Sequence, residues 1–351
     1  MTNPILGAGL HGIGAFSSAL CYTPQKKTKQ WSWQTYWMAH AAVCWLFLPI
    51  IVAAMTTPHL RSVLREAPGD AMVRSFLLGF CYGVGGTAFG AAIRFLGFSM
   101  TYALSVGISC VLGTLLPPLL ANRLAGLLHH KGSGWVFSGI AIATAAILVS
   151  GIAGKLRDVD HNKSLATGAG AQSDLRKGLF FALVAGILSA VFGLALAAGQ
   201  PIADVAFRYG AGQFQGNIIL IFACGGAFVS TAILCLYLHW KEGSLHEYIT
   251  FTDGPSRSLL AANLTLAAIT GLLWYGQFFF YGIAHTYMGA YRFTSWALHM
   301  AMLVLFSAFV GIYLKEWQGC QRLTIFTLGT SITVPLGAVA SITCGSYLGA
   351  G

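Results

Sequence analysis

The segment LLWYGQFFFYGIAH, residues 272–285, combines aromatic rings with an amide, a phenol and an imidazole. Side chains three or four residues apart share one face of a helix. The members of that face here are Trp274, Gln277, Phe278, Tyr281 and His285. Flat rings can cover the C–H side of a sugar while the polar groups hydrogen-bond its hydroxyls. The spacing predicts neutral-sugar contacts at Trp274, Gln277 and Tyr281. The alternative is an interhelical hydrogen bond from Gln277 beside lipid-facing rings.

Histidines inside apolar runs are candidates for carrying protons, because imidazole titrates near neutral pH. We predict proton carriers at His11, His299 and His285, and the alternative for each is a buried packing residue. His40, in the second apolar run, is interpreted in the same way.

The stretch QKKTKQWSWQTYW, residues 25–37, places three lysines and three tryptophans between two apolar runs. Cytoplasmic lysines and interfacial tryptophans are the ordinary pattern of a membrane surface. That interpretation explains Gln34 less well, because this polar residue lies one helical turn inside the second run. A second hypothesis is that Lys27, Trp33 and Gln34 contact substrate at the mouth of a binding cavity.

Carboxylates are absent from the centres of the apolar runs. All ten Asp and Glu residues fall in predicted loops or at their edges. A cavity without a buried acid fits a neutral substrate better than a cation. The eight cysteines form no C-x-x-C pair, so we predict neither a disulfide framework nor a metal site, and no cofactor.

The composition indicates a polytopic membrane protein. Only 9% of the 351 residues are charged and 56% are hydrophobic, with a mean hydropathy of +0.70, whereas a soluble domain carries roughly 25% charged residues. The net charge of +10 comes from cations between apolar runs. Lipid headgroups are therefore the expected partner, and nucleic acid is not. No basic segment precedes the first apolar run, which we interpret as a retained span.

Ten apolar runs reach the length of about 20 residues that a spanning helix needs. The sequence predicts an all-α fold with ten transmembrane helices at residues 4–24, 35–56, 73–93, 99–120, 135–154, 178–199, 217–239, 258–285, 293–314 and 323–349. The longest polar gap divides the spans five and five. It predicts a first five-helix repeat at 1–155, a polar linker loop at 156–177 and a second repeat at 178–351.

The two halves are weakly similar. GAAIRFLG, from Gly90, and GIAHTYMG, from Gly282, share the spacing of their glycines and their aromatic residue. An offset of 192 residues also places Trp274 over Tyr82, which predicts Tyr82 as a mirror-image substrate contact. Five spans per half would invert the second copy in the membrane, as in secondary transporters with a site near the midplane. In GVGGTAFG, residues 83–90, the small residues predict close helix packing.

The distribution of Lys and Arg predicts the orientation. The loops after spans 1, 3, 5, 7 and 9 hold 13 of the 20 cations. Cytoplasmic loops are enriched in Lys and Arg, so these loops are predicted to be cytoplasmic and both termini periplasmic.

Four motifs resemble those of the L-rhamnose–proton symporters of the drug/metabolite transporter superfamily: KKTKQWSWQTYW, WYGQFFFYGIAH, FTSWALHM and LKEW. Length, span number and the two-half layout match this family from end to end. The resemblance implies uptake of a six-carbon deoxysugar across a bacterial inner membrane, driven by a proton gradient. Trp296, within FTSWALHM, is a further predicted substrate contact.

The chain departs from that family's pattern at two positions. Gln34 stands where the pattern has Glu, and Arg292 where it has Asp. Both changes remove a group suited to carry a coupling proton. The alternatives are a facilitator, coupling through a histidine, or an exporter of another small metabolite. A polytopic membrane enzyme is disfavoured, because the one adjacent histidine pair, in LLHHKG, has no carboxylate nearby in the sequence.

Overall fold

The computed structural model describes residues 3–21, 23–96, 98–161, 171–248 and 257–349. Within these ranges the chain forms helices and turns and no β-strand. Ten helical segments there are long and apolar enough to cross a membrane. The predicted all-α fold with ten spans is confirmed.

Fourteen α-helices build these spans and their connections. In chain order they are α1 (Pro4–Leu20), α2 (Trp33–Ala41), α3 (Leu48–Thr56), α4 (Leu60–Glu66), α5 (Gly69–Leu96), α6 (Phe98–Leu120), α7 (Leu124–Leu128), α8 (Ser133–His161), α9 (Ala171–Ala198), α10 (Gln200–Arg208), α11 (Asn217–Glu242), α12 (Arg257–Tyr287), α13 (Ser295–Tyr313) and α14 (Arg322–Leu348). A π-helical turn, Ala42–Phe47, joins α2 to α3. Short 3₁₀ helices lie at Pro24–Lys27, Gly212–Phe214, Ser244–Tyr248 and Gly289–Thr294.

The chain divides into two compact units. The first unit comprises Met1–Ala19, Gly85–Leu194 and Ile283–Gly351, and the second comprises Leu20–Val84 and Ala195–Gly282. The boundaries fall inside α1, α5, α9 and α12. Each unit therefore draws on both halves of the sequence.

An apolar core in the second unit joins α4, α10 and the start of α11. Val63, Ile202 and Ile218 are fully buried there. At the exposed rim Glu66 accepts hydrogen bonds from Arg208 and from the Tyr209 hydroxyl. The guanidinium first, and then the hydroxyl, hold the pKa of the Glu66 carboxyl below its usual range.

Glycines allow close helix approach in the second unit. A Cβ at Gly79 would overlap the carbonyl of Ala223, and one at Gly83 would overlap Ser230 and the Ala227 carbonyl. Helix α5 can therefore lie directly against α11 only where side chains are missing. The predicted close packing of GVGGTAFG is confirmed at Gly83.

In the first unit, helices α8 and α9 extend into the predicted linker loop. Helix α8 continues to His161 and α9 begins at Ala171, while residues 162–170 lie outside the described residues. The last turns of α8 carry charged side chains that bond to the segment between α13 and α14. Arg157 bonds Glu316 at 2.8 Å and lies over the Trp317 ring. Asp160 accepts from the backbone N–H of Gln321, at the start of α14. These contacts explain why α8 does not end where its apolar run ends.

Candidate functional site

Five rings in the second unit form a cluster that we call the aromatic cluster: Trp37, His40, Trp45, Tyr82 and Trp274. The His40 ring lies 4.7 Å from Trp37 and 5.6 Å from Trp274, between ring centroids. Trp45 lies 5.6 Å from Trp274 and 6.0 Å from Tyr82. These separations are those of rings in direct contact. The predicted pair Trp274 and Tyr82 thus belongs to one cluster, and Trp45 contacts both of them.

The π turn brings Trp45 into this cluster. In a regular α-helix Trp45 would lie roughly 80° around the axis from Trp37, since each residue turns the helix by about 100°. A π turn takes about one residue more, which returns Trp45 to within roughly 20° of Trp37. The Leu48 N–H accordingly donates to the Val43 carbonyl, five residues back. Pro49 explains the widening, because it has no N–H for the Trp45 carbonyl and its ring would collide with that group.

Close approach of α12 to α2 positions Trp274. Gly271 faces Val43 and the His40 carbonyl, and a Cβ there would lie 2.6 Å and 3.0 Å from them. One residue earlier, the Thr270 hydroxyl donates to the Cys21 carbonyl and accepts a hydrogen bond from the Tyr36 hydroxyl at 2.6 Å. The buried face of α12 is therefore fixed against α2 at the level of His40.

Two polar atoms of the cluster have no hydrogen-bond partner among the described residues: His40 Nε2 and Trp45 Nε1. Both side chains are 1% exposed. His40 Nδ1 lies 3.2 Å from the Tyr36 carbonyl oxygen. A carbonyl only accepts, so Nδ1 carries the hydrogen and Nε2 of the neutral ring is an acceptor. The cluster thus contains one buried acceptor and one buried donor, which sequence reasoning did not assign to a substrate site. Pro49, four residues after Trp45, was the signal that could have found Trp45.

The predicted polar face of α12 points inward. Trp274, Gln277, Phe278 and Tyr281 are all buried, whereas Leu272 on the opposite side is 55% exposed. The rings therefore do not face lipid. Gln277 makes no side-chain hydrogen bond to the described residues, so the alternative of an interhelical bond from Gln277 has no support in the structure.

The predicted gate residues separate in the structure. The Trp33 ring stacks on Trp37 at 5.0 Å, next to the aromatic cluster. Lys27 is exposed on the 3₁₀ helix Pro24–Lys27. Gln34 is buried, and its amide donates to Glu242 at 2.7 Å and to Ser244 at 2.9 Å. Gln34 therefore belongs to a polar network at the end of α11.

That network also holds the start of α2. The Glu247 carboxylate accepts hydrogen bonds from the Ser32 N–H at 2.7 Å and from the Thr35 hydroxyl at 2.6 Å. Tyr248 donates to the Thr35 carbonyl, and burial raises the pKa of Tyr248, so it remains a neutral donor. Trp31 donates to the backbone of Glu247. Trp31 therefore also makes a structural hydrogen bond, in addition to the membrane-surface role that its position in the sequence indicates.

The predicted proton carriers lie in the first unit. His11 on α1 and His299 on α13 are buried, with ring centroids 5.9 Å apart and planes at 70°. His285 is half-buried, and its Nδ1 lies 3.1 Å from the Ser295 hydroxyl. Two of the three predicted carriers therefore form a pair.

Trp296 and Arg292 also belong to the first unit. The Trp296 N–H donates to the Ser109 carbonyl at 3.0 Å, and the ring covers Gly113. The indole N–H of Trp296 is therefore already hydrogen-bonded to the backbone of α6. Arg292 is exposed on the 3₁₀ helix Gly289–Thr294.

The described acidic residues avoid the buried interior, as predicted, although Asp158 and Asp160 lie in the last turns of α8 and not in a loop. Those with described side chains are exposed or half-buried, and none is buried. Asp174 and Asp253 fall outside the described side chains. The aromatic cluster contains no carboxylate, so its character is neutral.

Ten helices that are long and apolar enough to cross a membrane define the class as a multi-pass membrane protein, with the buried aromatic cluster as its candidate site. The family model of the L-rhamnose-proton symport protein matches residues 1–346. The chain belongs to the L-rhamnose-proton symporter family, as the resemblance of its motifs predicted. This is a family of transporters rather than enzymes.

Named relatives match the chain along its whole length. An L-rhamnose-proton symporter of Klebsiella pneumoniae subsp. pneumoniae is 33% identical over 349 residues, which cover 99% of this chain and 97% of the relative. One of Salmonella gallinarum is 33% identical over 355 aligned positions, which cover 100% of this chain and 99% of the relative.

Proposed function

We propose that this chain takes up L-rhamnose, or a closely similar neutral deoxysugar, together with protons across the bacterial inner membrane. Family membership and the names of the relatives support the class of substrate. The observation that carries the proposal is the buried aromatic cluster, which pairs ring faces with two unsatisfied polar atoms. Rings and hydroxyl-bonding groups together match the two kinds of surface of a sugar.

The sugar contacts in this proposal are Trp274, Gln277, Tyr281 and Tyr82, with Trp33 leading to them. Gln34 supports the neighbouring polar network, and Lys27 is an exposed candidate on the 3₁₀ helix Pro24–Lys27. Trp296 is a weaker candidate because its N–H is bonded to Ser109.

Transport by two inverted repeats is part of the proposal. If spans 1–5 repeat as spans 6–10, the unit boundaries should cut equivalent spans. They cut the first and sixth spans, in α1 and α9, and the third and eighth, in α5 and α12. The second and seventh spans belong to one unit, and the fourth, fifth, ninth and tenth to the other. This pairing supports repeats at 1–155 and 178–351 that alternate around a site near the midplane.

Proton coupling is assigned to the pair His11 and His299, with His285 as the further candidate. Gln34 and Arg292 cannot release a proton at neutral pH, and the described acids are not buried. A histidine pair at membrane depth is then the group best suited to the task.

The orientation with both termini periplasmic is likewise proposed. Contacts within each unit support alternating loops. The loop after span 7 binds the one after span 1 through Glu247 and Ser32, and the loop after span 5 binds the one after span 9 through Asp160 and Gln321. Each pair joins loops that the cation bias places in the cytoplasm.

Uptake of radiolabelled L-rhamnose into proteoliposomes tests the function. We expect uptake to rise when the outside of the vesicles is more acidic than the inside, so that protons flow inward. In His11→Asn and His299→Asn, uptake should no longer depend on this gradient. Absence of uptake for every deoxysugar would overturn the proposal.

An uncoupled facilitator is the second candidate, favoured by Gln34 and Arg292 at the two positions discussed above. The same assay separates the two: uptake by the wild-type protein that ignores the pH gradient would establish the facilitator.

A further inference from the structure

We infer that His40 and Trp45 form the hydrogen-bonding centre of the sugar site, where His40 accepts from a substrate hydroxyl and Trp45 donates to one. This inference rests on the proposed function and deepens it, because it names the atoms that would select a hydroxylated ring. Neither residue is predicted as a substrate contact by the spacing of the apolar runs.

The two unpartnered atoms carry an energetic cost. A buried polar atom without a partner costs about 1–3 kcal/mol, so each of the two needs a physical explanation. Here the two atoms are on rings whose centroids lie 6.4 Å apart. Both are enclosed by the aromatic cluster. A ligand that completes both hydrogen bonds would explain why the chain keeps them.

One atom of the pair accepts a hydrogen bond and the other donates one. The bond from His40 Nδ1 to the Tyr36 carbonyl leaves Nε2 as an acceptor. The Trp45 indole can only donate. A hydroxyl group does both, so a single hydroxyl or two neighbouring hydroxyls would satisfy the pair. An ammonium ion could use only His40, and a carboxylate only Trp45. The pair therefore favours a polyol over a charged solute.

Aromatic rings surround the pair. Trp274 contacts both His40 and Trp45, at 5.6 Å in each case. Its ring face can cover the C–H side of the same sugar whose hydroxyls meet the two nitrogens. Gly271, one turn before it on α12, sets this distance by allowing α12 to approach α2. The π turn supplies Trp45 from the other side.

The test measures binding by calorimetry on the purified full chain in detergent. The ligands are L-rhamnose and its 2-, 3- and 4-deoxy analogues. Trp45→Phe keeps a ring and removes only the N–H, and we expect it to weaken L-rhamnose binding about tenfold. For the analogue that lacks the bonded hydroxyl, the same substitution should have little effect. Trp240→Phe is the matched control, because Trp240 is 78% exposed on α11.

Substitutions of His40 test the inference independently, in case Trp45→Phe does not fold. His40→Phe should weaken L-rhamnose binding, and His40→Gln, which retains an acceptor, should restore part of it. Size-exclusion profiles and melting temperatures establish that each variant is folded.

The outcomes separate cleanly. Unchanged affinity in both variants, or an equal loss for every analogue, would overturn the inference while leaving sugar transport intact. A wild-type protein that binds none of these sugars would overturn the proposed function, and this inference with it.

Discussion

At the residue scale, the polar groups of the second unit fall into two sets with different tasks. Gln34, Asn263 and Glu247 are already hydrogen-bonded: Asn263 holds the carbonyl of Lys29 at 2.8 Å, and Glu247 holds the start of α2. His40 and Trp45 retain atoms without partners among the described residues. The first set therefore stabilises the helices, and the second is the set that we propose to bind the sugar.

Glu247 gives a prediction at this scale. Replacement by Ala removes the acceptor for the Ser32 N–H and the Thr35 hydroxyl. Loss of these charge-assisted hydrogen bonds at the start of α2 should lower stability by about 1–3 kcal/mol. Thermal unfolding of the purified protein, followed by circular dichroism, measures the effect. Asp70→Asn is the control, because its pair with Arg74 is exposed, and an equal fall in that variant would contradict the assigned role of Glu247.

At the scale of the element, two irregularities shape the site. One is the π turn before Pro49, and the other is the close approach at Gly271. The π turn changes which side chains α2 and α3 present, and the glycine changes how near α12 can come. Both act on the distance and angle between Trp45 and Trp274.

Pro49→Ala should restore an α-helical turn, because alanine supplies the N–H that the Trp45 carbonyl lacks. Trp45 would then rotate by about 100° away from the cluster. We expect L-rhamnose binding about tenfold weaker, as for loss of the Trp45 hydrogen bond, with stability unchanged or increased. Calorimetry and melting temperature measure the two effects. Pro335→Ala, inside α14 of the first unit, is the control; full affinity in Pro49→Ala would show that the turn does not depend on the proline.

Gly271→Ala should disturb the same contact from α12. The added methyl group would lie 2.6 Å from the Val43 side chain, which is β-branched and cannot turn away freely. Overpacking of this kind costs about 1–3 kcal/mol, and L-rhamnose uptake should fall with it. Gly282→Ala on the same helix is the matched control, since a Cβ there meets nothing within 4 Å. Equal uptake by the two variants would contradict the role of Gly271.

At the scale of the whole molecule, the order of the spans in the two units is the main regularity. Equivalent spans of the two predicted repeats are assigned to the same unit or are both divided between the units. A repeated chain that is inverted in the membrane would produce this pairing. The loop contacts within each unit also join odd-numbered loops to one another.

The orientation predicts a labelling pattern. In a cysteine-free background, Arg65→Cys should react with a membrane-impermeant maleimide in intact spheroplasts, because the proposed orientation places the loop after span 2 in the periplasm. Lys315→Cys, after span 9, should react only when the membrane is permeabilised. Both positions are exposed, so access alone does not distinguish them. The reverse pattern would place both termini in the cytoplasm.

The sequence by itself determined the class, the ten spans and which side chains share the face of α12 that carries Trp274. Long apolar runs and a helical period of 3.6 residues are local properties, and the solvent of a membrane leaves the chain no other regular structure. The motifs of the chain also predicted its family correctly. The cation bias and the five-and-five division remain predictions.

Only the tertiary structure decided which polar residues are already bonded. The sequence suggested that Gln34 contacts substrate at the mouth of a cavity. In the structure its amide donates a hydrogen bond to Glu242, 208 residues further along the chain. In a regular α-helix Trp45 would not share a face with Trp37, and it does so here only because the π turn shifts the helical register by about one residue. Such facts depend on contacts between distant segments, and a local pattern contains no information about the partner that a side chain will meet.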